Sequence, residues 1–398
     1  MHISLDISPI ILILIVITAV LSLTYTLWEF FNYRSIKKSI NRSSGRQRLG
    51  KNDNCNENLG VSVIIYSDNK VAKLKRNLPQ FLSQEYPLYE IIVVNDGINE
   101  MIQDYIDRLS LEHDNIHYTY TPDDARNLSR KKLALMVGIK AAKYDIILTT
   151  NANCAPQSCL WISAMANNFA EGADVVIGHS KLEDGTDNKK GNLLRSFMSL
   201  RNATKYLVHA IRHKPYRGTS DNLAYRKSLF FKNKGFSRSM HLHYGEDDLF
   251  INEITTINNT CVELSPESII SVSHDYPAHI FKTTKLQHCF TEQKIHSGAF
   301  ILSSISSTIY YAIYTGIVAI IILGYSNLAI VAIALIILLA TIIPQMITYR
   351  KTAQSLQSVE LLFTTPIFTL LHPIINLFYK LKSKRHTAYN YTWQRLKN

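Results

Sequence analysis

Residues 89–97 have the sequence YEIIVVNDG, in which a run of aliphatic residues is closed by Asn-Asp-Gly. An apolar run of this length, bounded by a turn signal, predicts a buried strand. Residues 61–65 and 146–150 predict two more strands of this kind, and segments with helical spacing lie between them. Strands that alternate with helices predict an α/β fold with a mostly parallel sheet, in which ligands bind at the carboxyl ends of the strands.

Three long apolar runs lie outside this alternation. Residues 9–28 carry no charge and suit one membrane span, which takes about 20 residues. The sequence shows neither a basic leader nor a small-residue cleavage site, which favours an uncleaved anchor over a signal peptide. Residues 301–323 and 328–347, separated by a short polar turn, predict a transmembrane hairpin.

Basic residues follow the first apolar run directly. Because basic flanks stay on the cytoplasmic side of a span, they predict a multi-pass protein of an inner or plasma membrane whose main domain faces the cytoplasm. The formal net charge of +12 is attributed to contact with the lipid bilayer rather than to nucleic acid, because no aromatic-basic recognition motif is present. The flanking residues are Arg34, Lys37, Lys38, Arg42, Arg46 and Arg48.

A last apolar stretch, residues 359–379, contains one glutamate and two prolines and is followed by basic residues. If it spanned the membrane, one basic flank would lie on the outer side, so we expect an interfacial or re-entrant helix. The chain then divides into five segments: a transmembrane anchor (1–33), a basic polar linker (34–59), a cytoplasmic domain (60–300), a transmembrane hairpin (301–348), and an interfacial or re-entrant helix with a basic tail (349–398).

Six motifs occur in a fixed order along the domain: 61–65 (VSVII), 84–87 (QEYP), 89–97 (YEIIVVNDG), 130–135 (RKKLAL), 222–225 (NLAY) and 245–248 (GEDD). Each motif is weak alone, but the ordered set resembles membrane-anchored family 2 glycosyltransferases with a GT-A fold. The resemblance implies a Rossmann-like domain that moves a sugar from a nucleotide-sugar, expected to be UDP-linked, to a lipid-linked or surface-glycan acceptor with inversion at the anomeric carbon. Such transfer belongs to polysaccharide biosynthesis at the cell envelope.

The resemblance also implies a donor site at the carboxyl ends of the strands. Asp96 would accept a hydrogen bond from the uracil ring, a task that suits a carboxylate because it only accepts hydrogen bonds and carries a full charge. A turn-forming Asp-Gly pair with no ligand is the alternative for this residue. The remaining donor-site residues would be Asp68, Lys131, Lys132, Asn151 and Asn153.

The acidic cluster 246–248 would supply the general base that deprotonates the acceptor hydroxyl. Asp247 is the predicted base, and Glu246 and Asp248 would orient it or bind the acceptor. Neighbouring carboxylates repel one another, which raises at least one pKa and favours proton uptake. An acidic helix N-terminus is the structural alternative, and both interpretations can hold together.

The sequence departs from the family at Asn151-Ala152-Asn153, where an Asp-x-Asp pair would bind Mg²⁺ or Mn²⁺. Amide oxygens are neutral, weaker ligands, so metal binding is expected to be weakened or absent, with Asn153 as the remaining candidate ligand. Three possibilities follow: direct neutralisation of the diphosphate by basic residues, weak metal binding through the amides and the phosphates, or a non-catalytic protein that binds nucleotide or scaffolds glycan-assembly proteins. The basic residues in question are Lys70, Arg130, Lys131 and Lys132.

The Gln-x-x-Arg-Trp motif of processive synthases is absent, which favours transfer of a single sugar. In the corresponding region, Gln293, Lys294 and His296 are candidates for contact with the diphosphate or the acceptor. The intact acidic cluster favours an active enzyme over the non-catalytic alternative, because a protein without transfer activity has no evident need of a base.

Overall fold

The structure, a computed structural model, describes residues 8–50, 59–122, 129–183, 190–212, 215–242, 244–273, 277–295 and 298–385. The helices are α1 (Pro9–Gly50), α2 (Val71–Leu82), α3 (Glu100–Leu109), α4 (Arg130–Ala141), α5 (Trp161–Ala170), α6 (Lys190–Arg212), α7 (Lys227–Lys232), α8 (Leu249–Ile254), α9 (Pro277–Glu292), α10 (Gly298–Leu323), α11 (Leu328–Ser355) and α12 (Thr365–Arg385). The strands are β1 (Val61–Ser67), β2 (Tyr89–Asn95), β3 (Ile116–Tyr120), β4 (Ile146–Asn151), β5 (Cys154–Pro156), β6 (Val175–Ile177), β7 (Ser180–Leu182), β8 (Leu223–Arg226), β9 (Thr260–Val262) and β10 (Ile270–Val272).

Seven strands form the central sheet in the order β3-β2-β1-β4-β8-β6-β9. All of its pairings are parallel except those of β8, which runs antiparallel to both β4 and β6. A smaller sheet has the order β5-β10-β7. The predicted α/β fold with a mostly parallel sheet is therefore confirmed. Because β8 is reversed, the residues that precede it lie at the same edge as the carboxyl ends of β1 and β4.

Both faces of the central sheet are buried, which explains why its strands are uninterrupted apolar runs. Val63 and Ile65 of β1 belong to a core layer that includes residues of α2, α3 and α5. Ile64 belongs to the opposite layer, which includes residues of α4 and α6. Successive side chains of a strand point to opposite faces, so one strand contributes to both layers.

Apolar helices occur at both ends of the chain, as predicted. Within the described residues, three helices are long and apolar enough to cross a membrane, and they lie in α1, α10 and α11. Helix α1 packs against both α10 and α11. Ser22 and Thr341 share a buried hydrogen bond of 2.7 Å between their hydroxyl oxygens, and Gly316 lies against Thr18, so α1 approaches both helices of the hairpin closely.

The sequence predicted a polar linker over residues 34–59, and this is wrong for residues 34–50. Helix α1 continues without a break to Gly50 because its second half packs against the domain. Ile36 is fully buried in the core, and Arg46 contacts Asn168 at 2.6 Å and Glu171 at 3.2 Å. Residues 51–58 lie outside the described part of the chain.

Helix α12 covers most of the stretch for which an interfacial or re-entrant helix was predicted. It packs along α9 and also contacts α6 and α11. It is not among the described helices that are long and apolar enough to span a membrane. Its position relative to a bilayer stays a prediction, and the basic tail after Arg385 lies outside the described residues.

Two glycine-to-alanine variants test the packing of α4 on the sheet. A Cβ at Gly138 would lie 2.8 Å from methyl groups of both Ile64 and Val94. We expect Gly138→Ala to lower the melting temperature, since overpacking of a core costs about 1–3 kcal/mol. Gly45→Ala, in an open position of α1, should leave it unchanged or raise it. Thermal unfolding in detergent measures both, and equal melting temperatures would contradict this account of the packing.

Candidate active site

A cavity of about 450 Å³ opens at the edge where the carboxyl ends of β1 and β4 meet the segment before β8. Residues 217–221 and 244–248 line it between the sheet and two helices, α6 and α9. The cavity therefore lies where the strand order predicts a ligand site, and its far wall is helical.

The acidic cluster lies in this cavity with its two outer carboxylates paired. Glu246 forms an ion pair of 2.8 Å with Lys131 of α4. Asp248 forms one of 3.1 Å with Arg217 and also accepts a hydrogen bond from the Thr291 hydroxyl of α9. Asp247, between them, accepts only a long hydrogen bond of 3.5 Å from the backbone N–H of Ser220 among the contacts described for its carboxylate.

The local backbone explains this arrangement. Gly245 has φ +112°, which an L side chain rarely adopts, and a Cβ there would lie 2.6 Å from Leu249. Asp248 then caps α8 by accepting a hydrogen bond of 2.7 Å from the N–H of Leu249. The helix N-terminus proposed as a structural alternative is thus present, but it involves Asp248 and leaves Asp247 facing the cavity.

The pKa values of the cluster follow from these contacts. Burial raises the pKa of Asp247, and the charges of Glu246 and Asp248 add to this effect, so that its pKa is about 7. Burial also opposes ionisation of Glu246, but the charge of Lys131 outweighs it and holds the pKa of Glu246 below its usual value. Asp247 is therefore the member of the cluster best suited to take up a proton near neutral pH.

Asn151 is paired with a carboxylate that the sequence analysis did not identify. Its amide nitrogen donates a hydrogen bond of 2.6 Å to Asp221, in the segment before β8. Asp221 also accepts hydrogen bonds from the hydroxyls of Ser180 and Thr219, at 3.3 and 3.1 Å. The site thus retains one carboxylate beside the end of β4, although neither residue of the Asn-x-Asn pair is acidic.

The donor set at this position does not fit a metal ion held by the protein alone. Asp221 supplies the single carboxylate, and its oxygens are engaged by neighbouring donors. Asn153 donates to the carbonyl of Ser273 at 3.3 Å, and both asparagines offer only neutral oxygens. No group of three or more His, Cys, Asp or Glu residues in the described part of the chain is placed to hold a metal.

The predicted uracil-binding residue lies at the end of β2 in a polar network. The Arg130 guanidinium contacts the Asp96 carboxylate, and Thr121 and Tyr66 donate hydrogen bonds of 3.4 Å to it. Tyr66 lines the cavity and Asp96 does not, so Asp96 lies behind the cavity wall, in contact with Tyr66. Arg130, considered above for the diphosphate, is instead paired with Asp96.

Asp68 and Lys131, both predicted to bind the donor, line the cavity. Asp68 is paired with Lys70 at the end of β1. The ammonium of Lys131 bridges Glu246 and the Ser220 hydroxyl, each at 2.8 Å. Burial acts to lower the pKa of Lys131, but the charges of Glu246 and Asp247 outweigh it and keep the pKa above its usual value.

Lys132 has a different position from the one predicted. It is fully buried, and its ammonium donates hydrogen bonds to three backbone carbonyls, those of Ser239, Leu242 and Tyr244, at 2.6 to 3.2 Å. Burial lowers its pKa to about 8. Lys132 therefore fixes the loop that leads into the acidic cluster and does not line the cavity, so its assignment to the donor site and the diphosphate is corrected.

The predicted contacts from the region after α9 are also corrected. Gln293 and Lys294 are exposed beyond the end of α9 and lie outside the cavity lining. Gln293 bonds the Ser383 hydroxyl at 3.1 Å, and Lys294 lies over the Phe290 ring. His296 is outside the described residues. The part of α9 that lines the cavity lies earlier in the helix and comprises Lys285, Gln287, His288 and Thr291.

Sequence reasoning also missed Asp221, Arg217 and the contribution of α6. Asp221 directly precedes the recognised motif at 222–225, so its proximity to that motif was the available signal. Arg217 and Arg195 of α6 carried no such signal, because their roles depend on how α6 and α9 close over the sheet edge.

Part of the chain is similar to known proteins. Residues 62–232 match the model of Glycosyl transferase family 2. Chondroitin synthase of Pasteurella multocida (strain Pm70) is 31% identical over 137 residues, which cover 32% of this chain and 13% of that protein. The matched part is thus a small fraction of the synthase.

Two solved structures show similarity at low sequence identity. The mannosyltransferase PcManGT from Pyrobaculum calidifontis, in complex with GDP-Man and Mn²⁺, has a TM-score of 0.49 and 14% identity, covering 91% of this chain and 99% of its own. S. aureus TarS 1-349 with UDP-GlcNAc has a TM-score of 0.41 and 15% identity, covering 84% and 91%. The match to the family model covers residues 62–232, less than half of the chain, and over these residues the chain is similar to glycosyltransferases of family 2.

Proposed function

We propose that this protein transfers a sugar from a nucleotide-sugar, most simply a UDP-sugar, to a lipid-linked or surface-glycan acceptor. The observation that carries the proposal concerns Asp247, a carboxylate that lines the cavity. Its two neighbours are paired with cations, whereas Asp247 forms no ion pair with any residue that the structure describes. An acceptor hydroxyl bound beside Asp247 would lose its proton to this carboxylate as its oxygen attacks the anomeric carbon.

The transfer balances as a single displacement. The acceptor oxygen forms a bond to the anomeric carbon, and the bond from that carbon to the β-phosphate oxygen breaks. The nucleoside diphosphate leaves with the electron pair, and Asp247 holds the proton. Inversion at the anomeric carbon follows because attack and departure occur on opposite faces, as the family resemblance implies.

Direct charge is the proposed means of stabilising the leaving diphosphate. Three lysines line the cavity together with Asp68 and Asn151, the residues proposed to bind the donor. They are Lys70, Lys73 and Lys131. Cations fixed in a partly enclosed site stabilise developing negative charge more strongly than they would in water. Three lysines face two carboxylates, Asp68 and Asp221, on this side of the cavity, which supports donor binding that depends little on Mg²⁺ or Mn²⁺.

The proposed location is an inner or plasma membrane, with the catalytic domain on the cytoplasmic side. Arg34, Lys37, Lys38 and Arg42 are exposed on α1 just after its apolar part, where they can contact lipid headgroups. The supply of nucleotide-sugars in the cytoplasm agrees with this orientation. A reporter fused after Arg385 that scored as external would contradict it.

Replacement of the base tests the proposed chemistry. We expect Asp247→Asn to lower kcat by about 10² to 10⁴, because the amide cannot accept the proton, while UDP affinity stays nearly constant. UDP release from a panel of UDP-sugars, with membrane lipid extract as acceptor, measures the rate. Full activity of the variant would refute the assignment, and an inactive wild type that still binds UDP would favour a non-catalytic protein.

The pH dependence gives a second test of the same residue. Asp247 must be ionised to act, and its pKa is about 7, so kcat/KM should fall as the pH drops below about 7 and level off above it. Asp68→Asn, which changes an exposed carboxylate paired with Lys70, should keep the same midpoint. A wild-type profile that is flat from pH 5 to 8 would contradict the role of Asp247.

Restoration of an acidic residue tests the account of the metal. Asn151→Asp would place a second carboxylate against Asp221, where the amide nitrogen now lies at 2.6 Å. We expect this variant to bind Mn²⁺ more tightly than the wild type, because two carboxylates suit a hard cation. Asn202→Asp, in the α6 wall of the cavity, is the control. Calorimetry that shows equal Mn²⁺ affinity in all three proteins would contradict this account.

A further inference from the structure

The helical wall of the cavity carries positive charge that the proposed chemistry does not use. Lys285 of α9 is 7% exposed, lines the cavity, and makes no hydrogen bond or ion pair with any described residue. Arg195 of α6 also lines the cavity, and its Nη2 is buried without a hydrogen-bond partner in the described part of the chain. The cavity thus has cations on its helical side that are paired with no anion in the part of the chain that the structure describes.

Arg217 connects these cations to the acidic cluster. Its Nη2 pairs with Asp248 at 3.1 Å, while its Nε is buried without a hydrogen-bond partner among the described residues. Both Arg217 and Lys285 line the cavity. Burial lowers the pKa of Lys285; Cys289 acts against this effect, and the charge of Arg217 adds to it. Glu292 acts in the opposite direction on Lys285, but it is paired with Lys205 at 3.7 Å.

Burial of unpaired cations is costly, because the charge loses its hydration without gaining a partner. His288 does not offset the charge: burial, followed by the charges of Arg217 and Lys285, holds its pKa well below the usual value, so it is neutral. An anion bound between α6 and α9 would satisfy Lys285, Arg195 and the free Nε of Arg217 together. It would also lie next to Asp247, where an acceptor has to bind.

The helices that form this wall lead towards the membrane part of the protein. Helix α6 contacts α1 and α10, two of the helices that are apolar enough to span a membrane, and α9 packs along α12. Helix α12 exposes an apolar row at helical spacing, which comprises Ile367, Leu371, Ile374, Phe378 and Leu381. A row of this kind suits contact with acyl chains at the bilayer surface.

We propose that Lys285, Arg195 and Arg217 form a subsite for the phosphate of a lipid-linked acceptor, whose hydrocarbon chain lies along α12 in the bilayer. This inference rests on the proposed function and gives its acceptor a chemical class: a lipid whose head carries a phosphate beside the reacting hydroxyl. The three lysines of the strand side then serve the donor, and the cations of the helical side serve the acceptor.

Binding of geranylgeranyl phosphate to the detergent-purified full chain tests the subsite, with geranylgeraniol, inorganic phosphate and UDP titrated separately. We expect the wild type to bind geranylgeranyl phosphate but not the alcohol. Lys285→Met should weaken this binding about tenfold or more, since a charged hydrogen bond is lost. Lys285→Arg should retain most of the affinity, and UDP affinity should stay within about twofold in both variants.

Lys282→Met is the matched control, because Lys282 lies on the same helix but is exposed. It should leave binding of geranylgeranyl phosphate unchanged. Lys285→Met should not lower the melting temperature, since it removes a buried charge without a partner. A lower melting temperature together with unchanged binding would show that Lys285 is structural and would overturn the subsite.

The remaining outcomes separate the competing sources of the anion. Loss of UDP affinity in Lys285→Met, with geranylgeranyl phosphate unaffected, would assign the cations to the donor and overturn the inference. Equal affinity for inorganic and geranylgeranyl phosphate, or for the phosphate and the alcohol, would also overturn it. Wild-type binding of UDP without binding of geranylgeranyl phosphate refutes this inference alone, whereas failure to bind UDP refutes the proposed function.

Discussion

The arrangement of the cavity depends on two ion pairs that enclose Asp247. Lys131 reaches Glu246 from α4, which packs on the sheet, and Arg217 holds Asp248 from the segment after α6. Each pair joins the acidic segment to a different part of the fold. The three carboxylates therefore have different electrostatic environments. Two are neutralised by cations, and the third is left with burial and like charges, which raise its pKa towards neutrality.

The position of Asp221 gives a physical reason for an asparagine at position 151. With an aspartate at position 151, two carboxylates would lie against each other and would need a cation between them. With Asn151, the side-chain amide donates a hydrogen bond directly to the Asp221 carboxylate, and the pair carries one negative charge instead of two. The change at β4 is thus matched by the residue before β8, and under the proposed function the nearby lysines would supply the positive charge that a metal would otherwise bring.

The sequence predicted β1, β2 and β4, a mostly parallel sheet and the acidic cluster because these depend on local patterns: apolar runs, turn residues and an ordered set of motifs. It did not predict Asp221, Lys285 or Arg195, because these become neighbours only through the reversal of β8 and the closure of α6 and α9. Lys132 was misassigned for a related reason. Its neighbour Lys131 faces the cavity, whereas Lys132, one residue further round the helix, points to the loop at 239–244.

Calorimetric titration of UDP into the detergent-purified full chain, first with EDTA and then with Mn²⁺, tests most directly that this cavity is a nucleotide-sugar site whose charge comes from the protein. The account predicts binding in EDTA, little change on addition of Mn²⁺, and loss of binding in Asp96→Ala. Absence of binding in EDTA with recovery in Mn²⁺ would contradict the charge account. Absence of binding in both conditions would contradict the nucleotide site itself.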